Sequence, residues 1–120
     1  MIRKQRKTPQ VNFDSANGRL DIAGESYPEN AIETYQPIFN WLIEYISSTT
    51  NKIIINFKLG LLNLSSTKCI LNVMEKLEET SKTGRQIELN WYYQVDDLDM
   101  LITGQAFAVD ISLPFNLIPF

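Results

Sequence analysis

Three carboxylates crowd one short stretch, Asp96-Asp97-x-Asp99. Clustered acids can hold a hard cation, but Ca²⁺ takes about six to eight oxygens, and this stretch lacks the glycine and closing glutamate of an EF-hand loop. The spacing suits a helix start better, where acids cap free N–H groups and face the positive dipole end. Cys69 is the single cysteine. Early in a helix its thiolate would be stabilised, yet its place in the apolar pattern is that of a small core residue. A third cluster, Asn63-Leu64-Ser65-Ser66-Thr67-Lys68, sets hydroxyls at a helix N-terminus just beyond an apolar strand. Such ends favour anions, including a phosphate carried on the chain itself. Capping by Ser65 or Ser66 is the plainer role.

The chain contains no histidine. That removes the commonest general base, metal ligand and pH switch together. GxSxG, Walker A, GxGxxG and CxxC motifs are absent as well. A protein that docks other proteins is therefore expected, with no catalytic residue, cofactor or metal. The competing class is a small acidic enzyme or metal- or ligand-binding domain built on Asp96, Asp97 and Asp99. No nucleophile–base pair supports it.

Charge is unevenly placed along the 120 residues. Four of the eleven basic residues lie in the first seven positions, which leaves seven against fourteen acids and a balance of -7 for the rest. An acidic body repels nucleic-acid backbones and anionic lipid. Residues 1–8 are expected to form a flexible basic tail, and 9–120 a single domain. The basic start has no apolar run behind it, no segment reaches the ~20 residues of a membrane span, and one cysteine suits a reducing compartment. A cytoplasmic location follows as the expectation.

These side chains need elements to hold them. Val11–Asp14 and Arg19–Ala23 read as strands, joined through Asn17-Gly18 as a hairpin with both residues at positive φ. Ser26-Tyr27-Pro28-Glu29 has the form of a helix-opening capping box. The helix behind it carries an inward stripe of Ile32, Tyr35, Phe39, Leu42, Ile43 and Ile46, with a kink or late start expected at Pro37. Lys52–Leu59, with Ile53-Ile54-Ile55, reads as a strand buried on both faces. The helix after Asn63 turns Ile70, Val73, Met74 and Leu77 inward and ends near Gly84. Ile87–Tyr93 alternates as a strand, residues from Asp96 to about Phe107 form a third helix, and Val109–Leu113 alternates as a last strand. Trp41, Trp91, Tyr92 and Tyr93 read as core or rim. The order predicts an α/β domain: a mixed, mostly parallel sheet with a leading β-hairpin, about three helices, and one face better covered.

Several segments together resemble the SiaC family of bacterial regulatory phosphoproteins. They are Ser26-Tyr27-Pro28-Glu29-Asn30-Ala31, Tyr35-Gln36-Pro37-Ile38, Trp41-Leu42, Asn63-x-Ser65-Ser66-x-Lys68, Trp91-x-Tyr93 and Asp96-Asp97-x-Asp99-Met100. The resemblance runs from about Pro9 to Ile118 and implies an anti-sigma factor antagonist (STAS-like) fold. It also implies partner switching: a protein kinase and a PP2C-like phosphatase act on the protein, whose unphosphorylated form activates a diguanylate cyclase in cyclic-di-GMP and biofilm signalling. The family's phosphoacceptor is the threonine of Asn-Thr-Ser-Ser, and Leu64 stands at that position here. Leucine cannot be phosphorylated, so Ser65, Ser66 or Thr67 would have to take the phosphate, or this member is not switched that way. The partner-binding residues expected are Asn63, Leu64, Ser65, Ser66 and Lys68, with Leu64, Ser65, Ser66 and neighbouring helix residues forming an exposed patch.

Overall fold

The computed structural model describes residues 8–120, so the expected basic tail lies, apart from Thr8, outside the described residues. Eight elements follow in chain order: β1 (Gln10–Asp14), β2 (Arg19–Ser26), α1 (Ala31–Ser48), β3 (Ile53–Leu62), α2 (Leu64–Ser81), β4 (Ile87–Tyr93), α3 (Leu98–Asp110) and β5 (Phe115–Pro119). The sheet order is β1-β2-β3-β4-β5, antiparallel between the first two strands and parallel thereafter. Each parallel step is bridged by one helix and each moves the same way across the sheet. With a single crossover hand, all three helices fall on one face.

Burial agrees with that topology. On the helical face two rows of apolar residues cross the sheet, Leu20–Ile55–Leu89–Phe115 and Ile22–Phe57–Trp91–Leu117. They merge with Tyr35, Ile38, Leu42, Ile70, Val73, Met74, Leu77, Met100 and Phe107 in one core. The opposite face is polar. Asn116 donates to the Oδ1 of Asn90, Asn90 to that of Asn56, and Asn56 to that of Asp21, at 2.9, 2.8 and 2.7 Å. Only one face of β3 is therefore fully buried, contrary to the sequence expectation: Ile54 and Asn56 are half-covered and Lys58 is exposed.

Four other expectations need correction. The β1–β2 connection is a four-residue loop, and only Gly18 has positive φ. Asp14 accepts from the backbone and side-chain nitrogens of Asn17, which closes the loop with Asn17 at negative φ. A Cβ at Gly18 would lie 2.2 Å from the Lys52 carbonyl, so packing as well as φ requires glycine there. Helix α1 starts at Ala31 and runs unbroken through Pro37, whose ring faces solvent. Its buried line is Ala31, Tyr35, Ile38, Leu42 and Tyr45, leaving Ile32 70% exposed and Ile43 on the surface. The alternation at Val109–Leu113 is not a strand. Helix α3 continues to Asp110, Ile111 closes it in an extended conformation, and the last strand begins after Pro114.

Candidate partner-docking site

The Asn63–Lys68 segment opens α2 directly after β3. Asn63, not a serine, is the cap. Its Oδ1 accepts the Ser66 backbone N–H at 2.9 Å, and its Nδ2 donates to the Pro28 carbonyl at 2.9 Å. Both ends of that amide are thus spent joining α2 to the β2–α1 connection. Leu64 is the first helical residue and is 72% exposed. Ser65 and Lys68 are exposed too, while the half-buried Thr67 gives its hydroxyl to the Asn63 carbonyl at 3.1 Å.

Ser66 breaks the expected patch, because it is fully buried. Its hydroxyl pairs with that of Ser26 at 2.8 Å, and Ser26 pairs with the Tyr35 phenol at 2.8 Å. Ser26 is also buried. It is the last residue of β2, not a helix cap, and Asn30 caps α1 by accepting from the Glu33 backbone N–H. Three hydroxyls from β2, α1 and α2 thereby meet beneath the exposed turn. Nothing in local spacing shows this cluster, since its members lie 9 and 40 residues apart.

Burial raises the Tyr35 phenol above its ordinary value of 10.0, and the neighbouring Cys69 adds to the effect. The unfolded chain releases that proton near pH 10 while the folded chain keeps it. Stability is therefore full below pH 10 and is lost as pH rises from there through the folded value. Denaturant titrations at pH 9 and pH 11 will show a smaller loss for Tyr35→Phe than for the natural chain. Equal losses would remove Tyr35 from the alkaline response.

Beside this turn runs a groove between α1 and α2. One part, of about 540 Å³, is lined by Ile32, Tyr35, Phe39, Cys69 and Val73 with Gln36, Asn72, Glu75, Lys76 and Glu79 around them. A second part, of about 390 Å³, shares Ile32, Cys69 and Asn72 and reaches Ser65 and Lys68. Ile32, 70% exposed, lines both parts, and the exposed Leu64 directly precedes Ser65 in the chain. Cys69 is half-buried and its thiol is pushed up by burial, which keeps it a protonated groove residue and not a reactive thiolate.

The acidic cluster does not converge. Asp97 caps α3 by accepting from the Met100 backbone N–H at 3.1 Å, Asp99 sits in the first turn, and Asp96 is exposed before it. Among the described residues, no three Cys, Asp or Glu side chains gather as a metal would need. The metal or enzyme alternative on Asp96, Asp97 and Asp99 loses its geometric basis.

A sequence model of SiaC family regulatory phosphoproteins matches residues 2–120. The chain belongs to that family. This SiaC-family chain is 30% identical over 110 residues to an uncharacterised protein of Pseudomonas aeruginosa (strain UCBPP-PA14), covering 92% of this chain and 87% of the relative. Its fold is similar to that in the crystal structure of the diguanylate cyclase SiaD in complex with its activator SiaC from Pseudomonas aeruginosa. The TM-score there is 0.92 at 28% identity, over 99% of this chain and 98% of the matched one. Apo-SiaC from the same organism gives 0.88 at 30% identity, over 98% and 95%. The family is regulatory, so the SiaC-family chain is a regulator and not an enzyme. No helix among the described residues is long and apolar enough to cross a membrane.

Proposed function

We propose that this chain is the cytoplasmic regulatory partner of a diguanylate cyclase, and that it docks the cyclase through the first turn of α2 and the adjoining α1–α2 groove. The observation that carries the reading is Leu64. A large apolar side chain, 72% exposed, stands at the family's phosphoacceptor position, next in the chain to Ser65, which lines the α1–α2 groove. A leucine held in water by a capped helix end gains free energy only when something covers it. The groove has the form that receives an amphipathic helix, with its apolar floor contacted and its polar edges left wet.

A kinase and a PP2C-like phosphatase complete the circuit in this reading, but the switch position is closed. Ser66 is buried under the turn and Thr67 is tied to the Asn63 carbonyl, so Ser65 is the accessible hydroxyl nearest the usual site. Leu64→Asp tests the docking surface directly. A charge placed in an apolar contact costs about 1–3 kcal/mol, or roughly ten- to a hundredfold in affinity. Calorimetry with the cyclase, paired with cyclic-di-GMP production, will show both quantities fall together. Unchanged affinity in a folded Leu64→Asp chain would place the interface elsewhere.

A further inference from the structure

The outer face of α3 is a second, separate surface. The helix buries Met100, Gly104 and Phe107 against the sheet, with Trp91 and Leu117 in close approach to Gly104. On the opposite side, Leu98, Ile102 and Val109 fall within about 40° of one another at 100° per residue, with the exposed Gln105 as the one polar residue in that sector. They are 65%, 61% and 85% exposed. The stripe runs for about 17 Å along three turns. A helix apolar on both faces is a buried helix, and here one of those faces lies open.

Charge says what kind of molecule covers it. No lysine or arginine occurs after Arg85, while Asp96, Asp97, Asp99 and Asp110 flank or belong to α3. The stripe therefore has acids at both ends and no basic residue of its own helix. Asp97 and Asp99 suit the helix N-terminus, but Asp110 sits in the last turn, where the dipole disfavours an acid. Helix stability does not account for it. A second copy of this chain fits poorly. Two α3 helices packed antiparallel set the Asp96–Asp99 end of each against Asp110 of the other, and packed parallel they set like ends together. An anionic bilayer is repelled by the same residues.

We propose that the α3 outer face receives an α-helix from another protein, one whose apolar stripe is bordered by lysine or arginine. This surface is distinct from the α1–α2 groove, so it can be occupied whether or not the groove is. The probe is a synthetic 20-residue helix with a leucine stripe flanked by lysines, compared with the same peptide flanked by glutamates. Binding is read by fluorescence anisotropy at low and moderate salt. The lysine peptide will bind the natural chain, the glutamate peptide at least about tenfold more weakly, and affinity will fall as salt rises. Ile102→Gln combined with Val109→Gln leaves net charge unchanged and will weaken the lysine peptide about tenfold or more, whereas Ile32→Gln in the groove will not. Leu98→Gln alone gives an independent reading should the double variant fold poorly. Equal binding of both peptides, or undiminished binding by these variants, overturns the proposal. So does sedimentation of the free chain as a dimer that Ile102→Gln with Val109→Gln dissociates, because the face would then serve self-association.

Discussion

Trp91→Ala will lower the melting temperature by about 10–20 °C, the largest loss of any single truncation in this core. Trp91 is fully buried and packs against Phe57 and Phe107 at centroid distances of 5.6 and 5.4 Å. Its Nε1 donates to the Met100 carbonyl at 2.9 Å. Truncation opens a large cavity and removes the indole N–H from the Met100 carbonyl in the first turn of α3. Burial, ring contacts and the hydrogen bond are lost together, for about 3–5 kcal/mol from a total of about 5–15. Gly104 explains why neighbours cannot fill the gap cheaply. That glycine already lets α3 lie so close that a Cβ there would sit 2.5 Å from the indole. Calorimetric melting checks the figure. A drop under about 5 °C would mean that α3 reseats on the sheet without the indole.

In the proposed circuit, Leu64→Thr will turn a chain that the proposed kinase leaves unmodified at this position into a substrate. The substituted threonine would stand at the first position of α2, exposed, with the Asn63 cap behind it. A phosphate there carries about -1.5 to -2 charges and faces a helix N-terminus, so the fold tolerates it. The same charge would stand where the proposed docking contact needs apolar surface. Intact-mass measurement after incubation with ATP and the kinase will show a gain of about 80 Da, one phosphoryl group, only in the variant. Cyclase binding will fall in step. Stoichiometric modification of the natural chain at Ser65 or Thr67, with loss of binding, would show instead that the switch has moved along the helix.

Much of the fold was legible because two periodicities dominate it. The Ile87–Tyr93 alternation and the Ile70–Leu77 stripe each have one face in the core, so pattern and burial coincide. The errors came where local pattern and tertiary contact disagree. Ser26-Tyr27-Pro28-Glu29 has the residues of a capping box, yet Ser26 still pairs with Leu62 in the sheet and its hydroxyl turns inward. The Asn30-x-x-Glu33 pair, four residues further on, was the true signal. Ile32 looked like a core residue because hydropathy cannot tell which side of a helix meets the sheet. Val109–Leu113 alternates by accident, since a helix end followed by an extended connector gives the same pattern as a short strand. At the candidate site, the resemblance singled out Leu64, and its surroundings of polar capping residues gave its exposure. The buried position of Ser66 was invisible, because only Ser26 and Tyr35, distant in the chain, require it.

The amide row on the open face bears on a different matter, the choice among near-equivalent strand alignments. Leu20-x-Ile22, Ile53-Ile54-Ile55 and Ile87-x-Leu89 offer similar apolar faces, and β3 with three successive isoleucines could shift by one residue at small apolar cost. The row makes that shift expensive. It reads donor to acceptor from Asn116 through Asn90 and Asn56 and stops at Asp21, whose carboxylate accepts and cannot pass the chain onward. Moving β3 or β4 by a single position turns its asparagine into the core and breaks the row on both sides, because side chains alternate faces with a period of two. Four polar residues that add little to the depth of the native well thus raise the energy of its nearest misaligned competitors, and in a sheet of parallel strands with interchangeable aliphatic faces that selectivity is what makes one alignment unique.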